Sequence, residues 1–163
     1  MGVVELGAAE RFVLADLPGL IEGASEGAGL GHRFLGHVER CAAIIHLVDG
    51  TADNPAEDYA VIRKELINYN ESLTEKPEIV VITKCDSIPT DRISEIQTEI
   101  EALCGQTPLL ISSVAQSGLK PVLSAVFQHV DRRRKAEKAA KDARIEAEAV
   151  AAGIIEEKTG WQP

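Results

Sequence analysis

The chain has 163 residues, is 45% hydrophobic and 26% charged, and carries a net charge of −9. That is enough apolar material for one core plus an extension, and the acidic balance argues against nucleic-acid binding through a broadly basic surface, leaving room only for a local basic patch. Cys41, Cys85 and Cys104 are odd in number and form no C-x-x-C, so neither a zinc site nor a disulfide framework is indicated, and with no signal-peptide pattern and no apolar run of bilayer length the expected setting is the reducing cytoplasm.

Residues 2–6 are the first, weaker strand candidate, able to form a hairpin with residues 11–16 by turning through Gly7, Ala8 and Ala9. Four stronger apolar runs follow. Phe12-Val13-Leu14-Ala15 leads into Asp16, residues 43–48 into Asp49, residues 78–82 into Thr83, and residues 109–111 into Ser112. They stay apolar rather than alternating, which predicts strands buried on both faces of a sheet. Between them lie helical patterns. Asn54-Pro55 is a helix start with proline at the first helical position, followed by a rough apolar face of Ala60, Ile62, Leu66 and Ile67. Ile93, Ile96, Ile100 and Leu103 recur at three and four residues, as do Leu119, Val122, Leu123, Val126, Phe127 and Val130. Strands alternating with helices predict a parallel α/β sheet with right-handed crossovers.

After Val130 the composition shifts to Ala, Lys, Arg and Glu with little apolar periodicity. Residues 131–163 therefore read as a solvated helical extension to a domain at 1–130, fraying near Gly153 and Gly160, with Trp161 free to dock or not. Arg132-Arg133-Arg134-Lys135 reads as a solvated helix end, with a nucleic-acid contact as the sharper alternative. His32, His37, His46 and His129 show no metal-ligand spacing and read as structural or solvated.

Ligands of open α/β sheets sit outside the carboxyl ends of the strands. Three strong strands end there in polar signatures: Asp16-Leu17-Pro18-Gly19, Thr83-Lys84-Cys85-Asp86 and Ser112-Ser113-Val114. Each alone is weak, since a D-x-x-G after a strand is usually only a turn. Together, in this order, they resemble the third, fourth and fifth guanine-nucleotide motifs of a Ras-like P-loop GTPase of the TRAFAC class. Residues 16–40, DLPGLIEGASEGAGLGHRFLGHVER, closely resemble the switch II region of the Obg (CgtA) family, with glycines at 23, 27, 29, 31 and 36 running straight into a helix-like segment.

The resemblance spans roughly residues 2–130 and implies a three-layer Ras-like domain. In it the Asp86 carboxylate accepts from guanine N1–H and the N2 amine, a pairing adenine cannot offer. The Lys84 stem lies along the base, leaving its ammonium for a neighbouring loop. Thr83 stands where the family usually has Asn and is too short to span as far. The backbone N–H after Ser113 meets guanine O6. Asp16 holds Mg²⁺ through a water, and the Gly19 N–H senses the γ-phosphate of GTP and orders the switch. Leu20 occupies the position of the water-orienting Gln of Ras, so hydrolysis is expected to be slow.

No G-x-x-x-x-G-K-[ST] occurs, nor any Gly-Lys pair, and the switch I threonine is missing too. The expectation is an N-terminally truncated domain lacking its first strand, phosphate-binding loop and first helix, with no catalytic residue of its own. Such a loop supplies about three to five charge-assisted hydrogen bonds of roughly 1.5–3 kcal/mol each, whereas micromolar binding totals only about 8 kcal/mol. GTP and GDP should therefore bind this chain with millimolar affinity or weaker. The family also implies a role in large ribosomal subunit assembly, with the subunit or its RNA as partner. The chain is expected to be a monomer away from membranes, able to associate through unpaired sheet edges. The rival readings are a non-enzymatic fragment that binds a protein or RNA, and an inert truncation product.

Overall fold

The computed structural model describes residues 1–7, 10–16, 40–69 and 71–152. Leu17, Pro18, Gly19, Leu20, the glycine-rich segment that follows, and Trp161 lie outside the described residues. Met1–Val130 forms one compact unit and Asp131–Pro163 another.

In the first unit, β1 (Gly2–Gly7) and β2 (Glu10–Leu14) make an antiparallel hairpin with Val4 opposite Phe12. The hairpin is a sheet of its own. Its alternation turns Phe12 inward at 4% exposure while Val13 faces out at 63%. The expectation that the Phe12 strand is buried on both faces is thus corrected: among the described residues it pairs with β1 alone, and only its Phe12 face is covered.

The main sheet is parallel, in the order β3-β4-β5, with β3 at Ile44–Asp49, β4 at Glu78–Thr83 and β5 at Leu109–Leu110. Ile44 aligns with Glu78 and Asp49 with Thr83, so both strands finish level. Central β4 is covered on both faces, as its unbroken apolar run predicts, with Val80, Val81 and Ile82 fully buried. On one side Val80 and Ile82 join Val48, Tyr59 of α1 (Pro55–Tyr69), and Ile96 and Ile100 of α2 (Thr90–Cys104). On the other, Ile79 and Val81 join Ile111, Phe12, and Val122 and Val126 of α3 (Leu119–Ala151). Helices on both faces of a parallel sheet make the three layers. Each such buried aliphatic side chain contributes roughly 1.5–3 kcal/mol.

Two details concern exposure. Among the described residues β3 is an edge strand, and its Leu47, on the Val81 face, is 59% exposed rather than buried. The inward face of α1 runs through Tyr59 and Leu66, while Ile67 is 47% exposed. The tyrosine goes inside because its hydroxyl finds a partner there, donating to Glu78 Oε2 at 3.2 Å. His46 is structural, as expected. It is buried, bonds Glu78 Oε1 through Nδ1 at 2.9 Å, and lies 4.8 Å from the Tyr59 ring. Arg63 completes the cluster, with Nη1 3.4 Å from Glu78 Oε2. Burial alone disfavours the Glu78 carboxylate, yet the His46 bond and the Arg63 charge outweigh it and hold its pKa below the usual range.

In the second unit, residues 131–151 are helical and mostly exposed. Ala, Glu, Lys and Arg are strong helix formers, and the pairs Asp131–Lys135, Arg133–Glu137 and Arg144–Glu148 sit at i,i+4 spacing. None of the three cysteines forms a disulfide. Among the described residues no helix is long and apolar enough to cross a membrane.

Candidate functional site

The carboxyl edge of the parallel sheet gathers the ends of β3, β4 and β5. At the end of β4 the Thr83 hydroxyl donates to Val48 O at 3.1 Å. That bond staples β4 to β3 through the Thr83 side chain. Lys84 follows in the left-handed region, at φ 58 and ψ 31, and opens a 3-10 turn over Cys85–Ser87. For a residue with a Cβ this conformation costs roughly 1–2 kcal/mol. Three bonds oppose that cost: Ser87 N–H to Lys84 O at 3.0 Å, Cys85 N–H to Ile111 O at 3.2 Å, and Lys84 Nζ to Asp49 Oδ2 at 2.5 Å. The Cys85 thiol donates back to Ile82 O at 3.3 Å, and burial pushes its pKa up.

Asp86 is exposed at the tip of this turn. Ser112 Oγ donates to its Oδ1 at 2.5 Å and Ser87 Oγ to its Oδ2 at 3.1 Å. These bonds, the Ser112 one foremost, hold the carboxyl below the usual range and therefore ionised. Ser112 is 1% exposed, and its hydroxyl accepts the Ala115 N–H at 2.9 Å. Its backbone pairs with Ser117 in both directions, at 3.0 and 3.1 Å. Gly118 makes the loop possible: its φ is +77, and a Cβ there would meet Leu110 O at 1.9 Å. The loop's own bonds use the N–H groups of Ser112, Ala115 and Ser117. Ser113 and Val114 are exposed, and neither N–H is among them.

Thr83, Lys84, Cys85, Asp86, Ser112, Ser113 and Val114 thus lie on two adjoining loops, tied by the Asp86–Ser112 bond. The ionised Asp86 carboxylate is thus tied through Ser112 to the loop of Ser113 and Val114, whose N–H groups take no part in the loop's own bonds among the described residues. That set complements a flat edge carrying two N–H donors next to a carbonyl oxygen. Asp16 lies just beyond β2, exposed, and no hydrogen bond or ion pair among the described residues joins it to the others. Sequence reasoning passed over Asp49 as a mere strand end. Its signal was available: an acid directly after an apolar strand, followed by Gly-Thr, at the same edge as the other motifs.

A recess of about 360 Å³ between α1 and α2, lined by Tyr59, Arg63, Lys64, Ile67, Glu78 and Cys104 among others, opens at the start of β4. It is roughly a strand length, about 17 Å, from the Asp86 edge. Among the described residues no cluster of His, Cys, Asp and Glu could hold a metal ion.

A parallel sheet between helical layers, with these polar turns along one edge, defines a mixed α/β domain of the P-loop GTPase class. Residues 1–84 match the family described as 50S ribosome-binding GTPase. The chain is also similar to the GTPase Obg of Acaryochloris marina, at 46% identity over 132 residues, covering 81% of this chain and 38% of that protein. The chain belongs to the Obg family of GTPases.

Proposed function

We propose that residues 1–130 carry the base-recognition part of a guanine-nucleotide site and residues 131–163 an extension to it. The Asp86 carboxylate accepts from guanine N1–H and the N2 amine. An N–H of the loop after Ser112, at Ser113 or Val114, donates to O6, and the Lys84 stem lies along the ring. Adenine offers an acceptor at N1 and no amine at C2, so the same carboxylate repels it. The observation that supports this most is the Ser112–Asp86 bond, which brings two motifs 26 residues apart to one point and keeps the carboxylate charged.

Asp16 is the residue to hold Mg²⁺. A single exposed carboxylate suits an ion that keeps several waters and takes its other oxygens from phosphate. When bound, the ion neutralises charge on the phosphates. The Gly19 N–H meets the γ-phosphate, with Leu17 and Pro18 shaping that turn. Hydrolysis of GTP in the family is slow, since Leu20 cannot orient a water, and this chain, with no Gly-Lys loop in its sequence, is hydrolysis-deficient alone. The protein acts with the large ribosomal subunit, and the basic run 132–135 is the segment best suited to its RNA. The family description, 50S ribosome-binding GTPase, supports that partner.

No Gly-Lys loop for the phosphates occurs in this sequence, so binding by this chain is millimolar. Titration with GDP and with ADP, followed by backbone amide shifts, tests the reading. GDP should shift Lys84, Asp86 and the Ser112–Val114 loop, and ADP should leave them unmoved. An equal response to both nucleotides would contradict it.

A further inference from the structure

Asp49 closes β3 two residues before Thr51, whose N–H and hydroxyl both donate to Asp49 Oδ1, at 3.0 and 2.7 Å. One carboxylate oxygen is thereby fixed. The other, Oδ2, receives the Lys84 ammonium at 2.5 Å. The Lys84 bond foremost, with those from Thr51, holds the Asp49 carboxyl down at about 2, so it is ionised near neutral pH.

The two loops can meet because residue 50 is glycine. Its N–H donates to Thr83 O at 3.2 Å. A Cβ there would stand 2.4 Å from Ile88 Cδ1 and 2.9 Å from both Ile82 Cγ2 and Thr83 O. A side chain at 50 therefore requires Ile88, Ile82 or the Thr83 carbonyl to give way, next to the Asp49–Lys84 contact. Nor is the contact a by-product of the strand ladder, which ends at the Asp49–Thr83 pair. The side chains reach one another beyond it, from a lysine held in a left-handed backbone conformation.

We infer that Asp49, anchored by Thr51, is the positioning residue for Lys84: it pins the ammonium to one side so that the methylene stem lies flat for a purine ring. The inference rests on the guanine-site reading of Asp86 and Ser112 and adds a residue to it. A stem touches the face of a ring, and all purines share that face. Asp49 therefore governs how tightly a purine nucleotide is held, while the choice of guanine stays with Asp86.

The test is an amide-shift titration of the whole chain with GDP and with IDP, comparing the unsubstituted protein with Asp49→Asn, Lys84→Met and the double variant. Methionine keeps an apolar stem and loses the ammonium. Each single variant should weaken GDP and IDP alike by about three- to fivefold, leaving their ratio unchanged, and the double variant should bind no more weakly than Lys84→Met alone. In Lys84→Met the Asp49 carboxyl should titrate well above the value of about 2 it has when paired. Asp49→Asn binding GDP at full strength, or effects that simply add, would overturn the role of Asp49 and leave the guanine site standing. Failure of the unsubstituted chain to respond to GDP would overturn the site and this inference with it.

Discussion

Ser112 aims Asp86. The serine is 1% exposed and the aspartate open to solvent, and the 2.5 Å bond between them runs from a buried hydroxyl to an exposed carboxylate. Ser112→Ala removes that bond and the acceptor for the Ala115 N–H. It should lower stability by about 1 kcal/mol and weaken GDP binding by a factor of about 3–10. Thermal unfolding and a GDP titration check the two effects. Undiminished affinity would mean that the backbone alone orients Asp86.

Gly118 sets the loop that carries Ser112. Gly118→Ala meets both a positive φ and the Leu110 carbonyl, and should cost at least about 2 kcal/mol. Gly2→Ala is the control: nothing lies within 4 Å of a Cβ at that position, and the change should stay within about 0.5 kcal/mol. Denaturant midpoints of the two variants should separate clearly.

The arrangement of layers was legible because β4 is apolar without a break and three helical patterns surround it. The three polar segments were legible because each follows closely on an apolar run. Periodicity alone misjudged the faces of β2 and α1. It cannot show that β2, among the described residues, pairs with β1 and not with the parallel sheet, or that Tyr59 goes inside because Glu78 accepts its hydroxyl. Asp49 was missed for a similar reason: its role depends on Lys84, 35 residues away, and on the close approach that Gly50 permits.

Acid should weaken the fold through Glu78. Its folded pKa lies below the ordinary value of 4.5, so the stability it adds is fully present above that value and is lost as pH falls through the folded pKa. Asp49, lowered from 3.8 to about 2, acts the same way over that lower interval. Glu78→Gln should destabilise the protein near pH 7 by about 1–3 kcal/mol, because His46, Tyr59 and Arg63 lose a charged partner. It should also flatten the loss below pH 4.5. Urea unfolding across pH 2–7 measures both, and parallel curves for the two proteins would exclude Glu78 as the cause.

The open side of β3 should promote self-association. Leu47 is 59% exposed on an edge strand, and unpaired apolar edges template contacts between chains. Leu47→Lys should suppress concentration-dependent association in sedimentation velocity while changing stability by no more than about 0.5 kcal/mol. Association unaffected by the substitution would locate it elsewhere.

Asp86 as the reader of guanine is tested most directly by changing what the side chain can accept. Asp86→Asn replaces one acceptor oxygen with an amide donor, which suits the C2 carbonyl of xanthine and not the C2 amine of guanine. Titrated with GDP and XDP, the unsubstituted chain should respond to GDP and the variant to XDP, with shifts centred on residues 84–87 and 112–114 in both. A variant that keeps its preference for GDP would contradict the account.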